Sequence, residues 1–458
     1  MDPRTSALPG LLFALLVWGL LTGYGYPAPL AITAGVTALC IGWWIFEPIP
    51  IPVTSLVPLA LMPLFGVLTP SETAEAYGSP LILLLLGGFL LSRGMESSGA
   101  HRRLALAVVN LVGGHSPRRL VLGFMVTGAL LSMWISNTAT VLMLLPVALA
   151  VLSGIGQREL LAPPLLLGLA WACSIGGIGT PIGTPPNLLF MQVYAETTGW
   201  ELGFTQWMAW AVPVVVIMVP LAWWWLTRSV PNALPIELPP VGPWRSAEKR
   251  VLMVFAFTAL AWMTRAEPFG GWREWLSVPT ANDASVALLA VAVLFTLRDN
   301  RGERLITWQQ ASEIPWGVLL LFGGGICIAK AFVASGLSDL AGQAVLAATE
   351  LPRYALLLLV CLFVTFLTEA TSNTATTALL MPILAAAAVA GGIEPALLMA
   401  PAAMSASCAF MLPVATAPNA VIFGSGQVPI QRMAREGLAV NLAGALVIAT
   451  LGYLLLPA

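Results

Sequence analysis

Charged residues are scarce in this chain of 458 residues, where Asp, Glu, Lys and Arg together make up only 9%. Soluble proteins carry about 25%, so these charges could not cover the roughly three soluble domains that the length would suggest. Hydrophobic residues reach 58%, and the mean hydropathy is +0.89. This composition indicates an all-α polytopic membrane protein. The net charge of −1 leaves no basic face for nucleic acid.

Histidines and paired cysteines are also lacking. The five cysteines stand singly inside apolar runs without a C-x-x-C pair, and we interpret them as core residues. The two histidines, His101 and His115, cannot form a multi-histidine metal site or a convincing catalytic triad. The sequence therefore predicts neither an enzyme nor a bound cofactor.

Glycine and proline are abundant instead, with 42 and 36 residues, more than straight membrane spans would need. The apolar runs predict eleven transmembrane helices. These lie at 9–24, 29–46, 52–68, 79–92, 160–196, 205–227, 249–264, 283–297, 314–332, 394–424 and 432–456. Two further runs, 118–153 and 353–391, are too long for one crossing and short for two, and each has a polar centre. We predict that both are re-entrant hairpins.

Loop charges predict the orientation. With the N-terminus in the cytoplasm, 16 of the 20 basic residues fall on the cytoplasmic side, leaving Arg265, Arg273, Lys330 and Arg353 outside. Basic residues concentrate in cytoplasmic loops, so we expect an N-terminus inside and a C-terminus outside. A hairpin and a pair of full crossings return to the same side, so this pattern does not distinguish them.

An internal repeat relates the two long runs. The string SNTAT at 136–140 recurs at 372–376, 236 residues later, and PIGTPPN at 181–187 has a counterpart, PVATAPN, at 413–419. Five crossings separate the hairpins, so the predicted repeats are inverted. The predicted division is a first transmembrane helix, a first repeat, a cytoplasmic linker and a second repeat. Their bounds are 1–28, 29–230, 231–248 and 249–458.

The repeated motifs carry groups that can bind ions. A backbone that turns inside a membrane needs polar partners, and asparagine, serine and threonine side chains both donate and accept hydrogen bonds. Their oxygens suit a hard cation such as sodium, while amide groups and helix N-termini suit an oxyanion. No Lys or Arg lies between Arg119 and Arg158 or between Arg353 and Arg432. An anion bound there would need cations to balance its charge.

Glu369 is the one acidic residue inside a hairpin arm, and the corresponding position in the first hairpin is Met133. Two interpretations are open from the residues alone. The carboxylate could be a cation ligand or a proton-coupling group, or it could accept hydrogen bonds from backbone near the hairpin tip.

The paired SNT motifs and paired proline–asparagine segments resemble the signature of the divalent anion/sodium symporter family, whose members carry di- and tricarboxylates or sulfate. The likeness extends from about residue 30 to the C-terminus. It implies a homodimer in which each protomer has a scaffold and a mobile transport part that moves like an elevator. One position departs from the family pattern, because Ala417 stands where proline is usual.

Matching motif to motif, the resemblance implies two sodium sites and one substrate site. The residues implied for the first sodium are Ser132, Ser136, Asn137 and Gly183. Those implied for the second are Thr368, Asn373 and Ala415. Those implied to contact substrate carboxylates are Asn137, Thr138, Thr184, Asn373, Thr374 and Thr416.

The predicted function is sodium-coupled symport of a C4-dicarboxylate such as succinate across a bacterial inner membrane. The partners expected are the dicarboxylate, sodium ions, the lipid bilayer and a second copy of the chain. Two alternatives on the same fold remain, a sodium-independent dicarboxylate exchanger and a symporter of sulfate or tricarboxylates. A membrane-embedded enzyme using Glu369 would lack a second catalytic group.

Overall fold

The computed structural model describes residues 7–113, 116–153, 158–230, 243–265, 270–340 and 351–456. These residues form helices, and the β pairing among them is a single bridge between Arg298 and Arg304. The all-helical prediction is confirmed. In chain order the described helices are α1 Leu8–Gly23, α2 Ala28–Phe46, α3 Ile51–Thr54, α4 Val57–Leu64, α5 Pro70–Tyr77, α6 Pro80–Ser98, α7 Ala100–Gly113, α8 Pro117–Ser132, α9 Asn137–Ser153, α10 Arg158–Ile178, α11 Pro185–Thr198, α12 Phe204–Thr227, α13 Ser246–Met263, α14 Gly271–Trp275, α15 Asp283–Thr296, α16 Trp308–Ala311, α17 Trp316–Ser335, α18 Arg353–Ala370, α19 Asn373–Ala390, α20 Pro395–Ala406, α21 Ala417–Gly424 and α22 Ile430–Leu455.

Eight helical segments within the described residues are long and apolar enough to cross a bilayer. The two predicted hairpins are the pairs α8–α9 and α18–α19. Their arms have 16, 17, 18 and 18 residues. A crossing takes about 20 residues, so length alone does not decide between a hairpin and two crossings. The hairpins and the count of eleven crossings therefore stay predictions.

Three of the predicted spans are interrupted. The span predicted at 160–196 is divided into α10 and α11, that at 394–424 into α20 and α21, and that at 52–68 overlaps α3 and α4. Prolines stand at the start of α4, α11 and α21, where the missing N–H would have no intrahelical partner. Breaks 1 and 2, at 179–184 and 407–416, are the interruptions that position the candidate site.

The two halves of the chain interlock at these breaks. The helix after break 1, α11, packs against α19 and α20 of the second half. The helix after break 2, α21, packs against α9 and α10 of the first half. The second arm of each hairpin thus contacts the break helix of the other half. Trp171 of α10 and Phe410 of break 2 add a direct contact between the halves, with ring centroids 5.6 Å apart.

The predicted linker 231–248 lies largely outside the described residues, which resume at Pro243. Its end is fixed to the first half by Glu248, which is 3% exposed. The Glu248 carboxylate accepts hydrogen bonds from Arg103 Nε of α7 at 2.7 Å and from Arg245 Nε at 2.9 Å. A buried carboxylate with two guanidinium partners anchors the start of α13.

Candidate ion and substrate site

The first part of the site is formed by the two SNT motifs, which lie at the tips between paired helices. Tip 1 joins α8 to α9, and tip 2 joins α18 to α19, so that α9 begins at Asn137 and α19 at Asn373. The Thr140 N–H donates to the Ser136 carbonyl at 2.9 Å, and the Thr376 N–H to that of Ser372 at 2.8 Å. In both helices the preceding N–H groups have no intrahelical acceptor and remain available at the tip.

The second part of the site consists of the two breaks, each held by a fully buried asparagine. Asn187 Nδ2 lies 3.0, 3.3 and 2.7 Å from the carbonyl oxygens of Gly177, Ile178 and Thr180, so its two N–H bonds are shared among three acceptors. These carbonyls would otherwise be left unpaired where α10 stops.

Asn419 repeats this contact in the second half. Its Nδ2 donates to the carbonyls of Ala409 and Leu412 at 2.9 and 3.0 Å. These two acceptors lie 232 residues after Gly177 and Thr180, the same offset that separates the two asparagines. The asparagine of each proline–asparagine segment thus closes the helix break behind it.

Both tips and both breaks line one cavity of about 510 Å³. Four of the described helices, α9, α11, α19 and α21, begin at residues that line it. Helix N-termini carry partial positive charge and free N–H groups, so four converging N-termini favour an anion. All residues that the resemblance implies for the substrate line this cavity. They are Asn137, Thr138, Thr184, Asn373, Thr374 and Thr416.

The residues implied for sodium divide into two layers. Ser136, Asn137, Gly183, Asn373 and Ala415 line the cavity. The other two, Ser132 and Thr368, are fully buried and lie behind it, each bonded to the asparagine of its own tip.

These buried hydroxyls meet the asparagine side-chain oxygens. Ser132 Oγ donates to Asn137 Oδ1 at 2.5 Å, and Thr368 Oγ1 donates to Asn373 Oδ1 at 2.9 Å. Thr368 Oγ1 also lies 2.9 Å from the carbonyl of Ala406, the last residue of α20. Hydroxyl, amide and carbonyl oxygens at the negative ends of helices form a donor set that suits a hard monovalent cation.

Break 1 approaches tip 1 closely because two glycines face each other there. A Cβ at Gly177 would lie 2.7 Å from Asn137 Oδ1, and a Cβ at Gly183 would overlap the carbonyl oxygen of Gly177. The equivalent positions in break 2 are Ala409 and Ala415. The first half therefore has less room for side chains between tip and break than the second.

The cavity carries almost no fixed charge. Among the described residues that line it, Glu47 is the only charged one, and none is Lys, Arg or His. The described part of the chain also contains no group of three or more His, Cys, Asp or Glu residues that could hold a metal ion. A cation at these tips would be bound by neutral oxygens, and an anion by amides, hydroxyls and helix ends.

Glu369 does not line the cavity. Its carboxylate is 5% exposed and accepts hydrogen bonds from the backbone N–H groups of Phe410, Met411 and Leu412, at 2.6, 2.8 and 3.0 Å. The side chain of Asn441 in α22 donates a fourth at 2.7 Å. Of the two interpretations of Glu369, this geometry supports the backbone-bonded carboxylate.

A family model described as the sodium:sulfate symporter transmembrane region matches residues 8–456, nearly the whole described chain. The chain belongs to this family of divalent anion/sodium symporters. The membership agrees with the resemblance carried by the SNT and proline–asparagine motifs.

Two relatives of this chain are bacterial proteins named sodium-dependent dicarboxylate transporter SdcS. That of Staphylococcus saprophyticus subsp. saprophyticus is 38% identical over 452 residues, covering 93% of this chain and 86% of the relative. That of Staphylococcus aureus strain MRSA252 is 37% identical over 481 residues, covering 99% and 92%. The family is multi-pass in the membrane, consistent with the apolar helices of this member.

A solved structure shares the fold. It is described as the crystal structure of the Alcanivorax borkumensis YdaH transporter with an unusual topology. The TM-score is 0.59 at 18% sequence identity, and the match covers 93% of this chain and 98% of that one. At this identity the likeness concerns the arrangement of helices alone.

Two features of this family member were missed from the sequence. Trp134, beside tip 1, lies nearly parallel to Phe204 and Trp262, with ring centroids 6.0 and 6.5 Å away, and so anchors the tip to α12 and α13. Asn441 supports Glu369 from α22. The tryptophan next to a polar tip was a visible signal for an anchor, whereas nothing local in the sequence marks Asn441.

Proposed function

We propose that this chain is a secondary active transporter that couples the movement of sodium ions to uptake of a C4-dicarboxylate such as succinate. The observation that carries the proposal is the cavity in which four helix N-termini meet, with no Lys or Arg among the described residues that line it. Relatives named sodium-dependent dicarboxylate transporters, at 37–38% identity over most of the chain, support the choice of ion and substrate.

Charge balance explains why transport is coupled to a cation. A dicarboxylate carries two negative charges, and burying them without compensation in a membrane protein is very costly. The helix N-termini supply only partial positive charge, so bound sodium supplies the remainder. Sodium ions bound by the oxygens of Ser132, Asn137, Thr368 and Asn373 balance the negative charge of the substrate that binds beside them. Each species raises the affinity for the other, which is the basis of symport.

The substrate is held by paired groups at the two tips. Asn137 and Thr138 in the first half and Asn373 and Thr374 in the second lie on one cavity, so each pair serves one carboxylate. The threonines at the start of α11 and α21 add hydroxyl donors from the breaks. A cavity of about 510 Å³ lies within the usual range for small ligands.

The finer architecture belongs to the same proposal. The halves form inverted repeats with re-entrant hairpins at α8–α9 and α18–α19, the N-terminus lies in the cytoplasm and the C-terminus outside. Two protomers form a dimer in the bacterial inner membrane. The interlocked hairpins and break helices move together as the transport part against the remaining helices. The mutual packing of α11 with α19 and of α21 with α9 supports such a unit.

The test is uptake of labelled succinate by purified protein in liposomes. We expect accumulation with an inward sodium gradient and none when choline replaces sodium. Equal uptake in choline would contradict sodium coupling. Competition by malate, citrate and sulfate then ranks the substrates, and preferential inhibition by sulfate or citrate would reassign the substrate class.

A sodium-independent exchanger is distinguished in the same preparation. Liposomes preloaded with unlabelled succinate are assayed for counterflow without sodium. An exchanger of this fold would need a fixed positive group to replace the cation, and no basic residue lines the described cavity. We therefore expect no counterflow in the absence of sodium.

A further inference from the structure

The halves differ in how each break is attached to its hairpin. In the first half α10 continues to Ile178, so the N–H of that residue lies inside the helix. In the second half α20 stops at Ala406, although the position equivalent to Ile178 is Phe410. Break 2 therefore starts one turn earlier and leaves three N–H groups that no helix satisfies, that of the buried Phe410 and those of the partly buried Met411 and Leu412. Unpaired buried N–H groups are destabilising and require an acceptor.

Glu369 provides that acceptor. Oε1 accepts from the N–H groups of Phe410 and Met411, and Oε2 accepts from that of Leu412. Hydrogen bonds to an ionised carboxylate are shorter and stronger than those between neutral groups. Asn441 Nδ2 donates to Oε1 from the side and holds the carboxylate in this orientation. At the corresponding positions of the first half there is a single hydrogen bond between neutral groups, in which the Thr180 hydroxyl donates to the Met133 carbonyl.

Glu369 directly follows Thr368, and the two side chains contact different segments next to the second candidate cation site. Thr368 contacts Asn373 of tip 2 and the last carbonyl of α20. Glu369 holds the residues after that helix end, from which the chain runs to Ala415. The Glu369 carboxylate therefore joins α18, which leads to tip 2, to the segment that leads to Ala415.

We propose that Glu369 is a positioning residue for the second sodium site, which sets the spacing between tip 2 and break 2 without touching the ion. The inference rests on the proposed function of sodium-coupled transport. Glu369 carries no ion pair among the described residues, so its negative charge also favours a cation nearby.

The test compares Glu369→Gln with wild type in liposomes. A glutamine retains Oε1 for Phe410 and Met411 but presents an NH₂ group to the N–H of Leu412, so one hydrogen bond and the charge are lost. We expect the sodium concentration for half-maximal uptake to rise about 2- to 10-fold. The KM for succinate at saturating sodium should stay close to that of wild type.

Sodium binding is measured separately from transport, as the rise in thermal unfolding temperature of detergent-solubilised protein when sodium replaces choline. The Glu369→Gln variant should require a higher sodium concentration for the same rise in unfolding temperature. Glu196→Gln is the matched control, because Glu196 is a partly buried glutamate of α11 that accepts from Gln192 and does not line the cavity. This control should leave the sodium dependence unchanged. If Glu369→Gln does not fold, Asn441→Ala removes one donor to the carboxylate and should shift the dependence in the same direction by less.

The outcomes are separable. Wild-type protein that takes up no succinate with sodium would overturn the proposed function. Normal wild-type uptake combined with an unaltered sodium dependence in both Glu369→Gln and Asn441→Ala would overturn the positioning role. A changed pH profile of uptake in Glu369→Gln with unaltered sodium dependence would instead identify a proton-coupling group, and would also overturn it.

Discussion

The two halves of the chain use the same motif for binding and different contacts for support. Both halves place an asparagine at a hairpin tip, a buried hydroxyl behind it and a second asparagine that closes the break. The supporting contacts differ at equivalent positions. Met133 and Thr180 in the first half correspond to Glu369 and Leu412 in the second, and the anchor Trp134 corresponds to Ala370.

This difference separates two kinds of constraint. In the proposed function, groups that face the cavity serve two similar carboxylates and two similar cations, so both halves need the same chemistry there. Groups behind the cavity must only hold a backbone in place, which a hydroxyl, a carboxylate or an aromatic stack can each do. We therefore expect the halves to be equivalent at the cavity and unequal behind it.

The largest effect is expected at the tips. Asn137→Ala and Asn373→Ala should each abolish sodium-dependent uptake while the protein still folds. Each change removes both a donor and an acceptor, at about 1–3 kcal/mol for each partner left unpaired. Uptake in liposomes and the thermal unfolding temperature are the measurements. Asn110→Ala, which removes an asparagine bonded to its own helix α7, is the control. Loss of uptake in only one of the two tip variants would show that the halves are not equivalent.

A strong but unequal effect is expected at the glycine of break 1. Gly183→Ala should lower uptake about tenfold or more, because the added Cβ overlaps the Gly177 carbonyl and pushes the break from tip 1. The reverse change at the equivalent position, Ala415→Gly, should retain most of the uptake since it adds no atoms. The measurement is the initial rate of uptake by each variant at saturating succinate and sodium. An equal loss of uptake in both variants would mean that the room for a side chain at this position does not differ functionally between the two breaks.

A moderate loss of stability is expected from the asparagines that close the breaks. Asn187→Ala leaves three carbonyls without their donor and Asn419→Ala leaves two, at about 1–3 kcal/mol for each group that finds no other partner. Asn187→Ala should therefore lower the thermal unfolding temperature more. A larger drop in unfolding temperature for Asn419→Ala would show that the number of carbonyls left without a donor does not determine the loss of stability.

The smallest effect is expected from Ala417→Pro, which makes break 2 resemble break 1. Ala417 is the first residue of α21, where the N–H has no intrahelical acceptor, so proline removes nothing that the helix uses. Uptake should stay within about twofold, and folding should be unchanged or stabilised by about 0.4–1 kcal/mol. A large loss of uptake with intact folding would show that the Ala417 N–H contacts a ligand.

Much of the candidate site could be predicted from the repeat. The matched strings at 136–140 and 372–376 and at 181–187 and 413–419 identified four segments, and the structure brings all four to one cavity. A proline pair before an asparagine also marks an interrupted helix by its missing N–H groups. These signals are local, so they can be read without knowing how the helices pack.

The supporting contacts could not be predicted in the same way. Glu369 remained ambiguous because its role depends on α20 stopping one turn earlier than α10, and the sequence shows no signal for that end point. The role of Asn187 was equally hidden, since its acceptors lie 7–10 residues away across a break.

The interlock of the halves has a consequence for biosynthesis. Because α11 packs on α19 and α20 while α21 packs on α9 and α10, no single half contains a complete cavity. During synthesis, the first hairpin lacks its packing partners until more than 200 further residues have been added to the chain. Such distant contacts form slowly and late. A nascent chain that stops before α21 therefore holds tip 1 without its final covering.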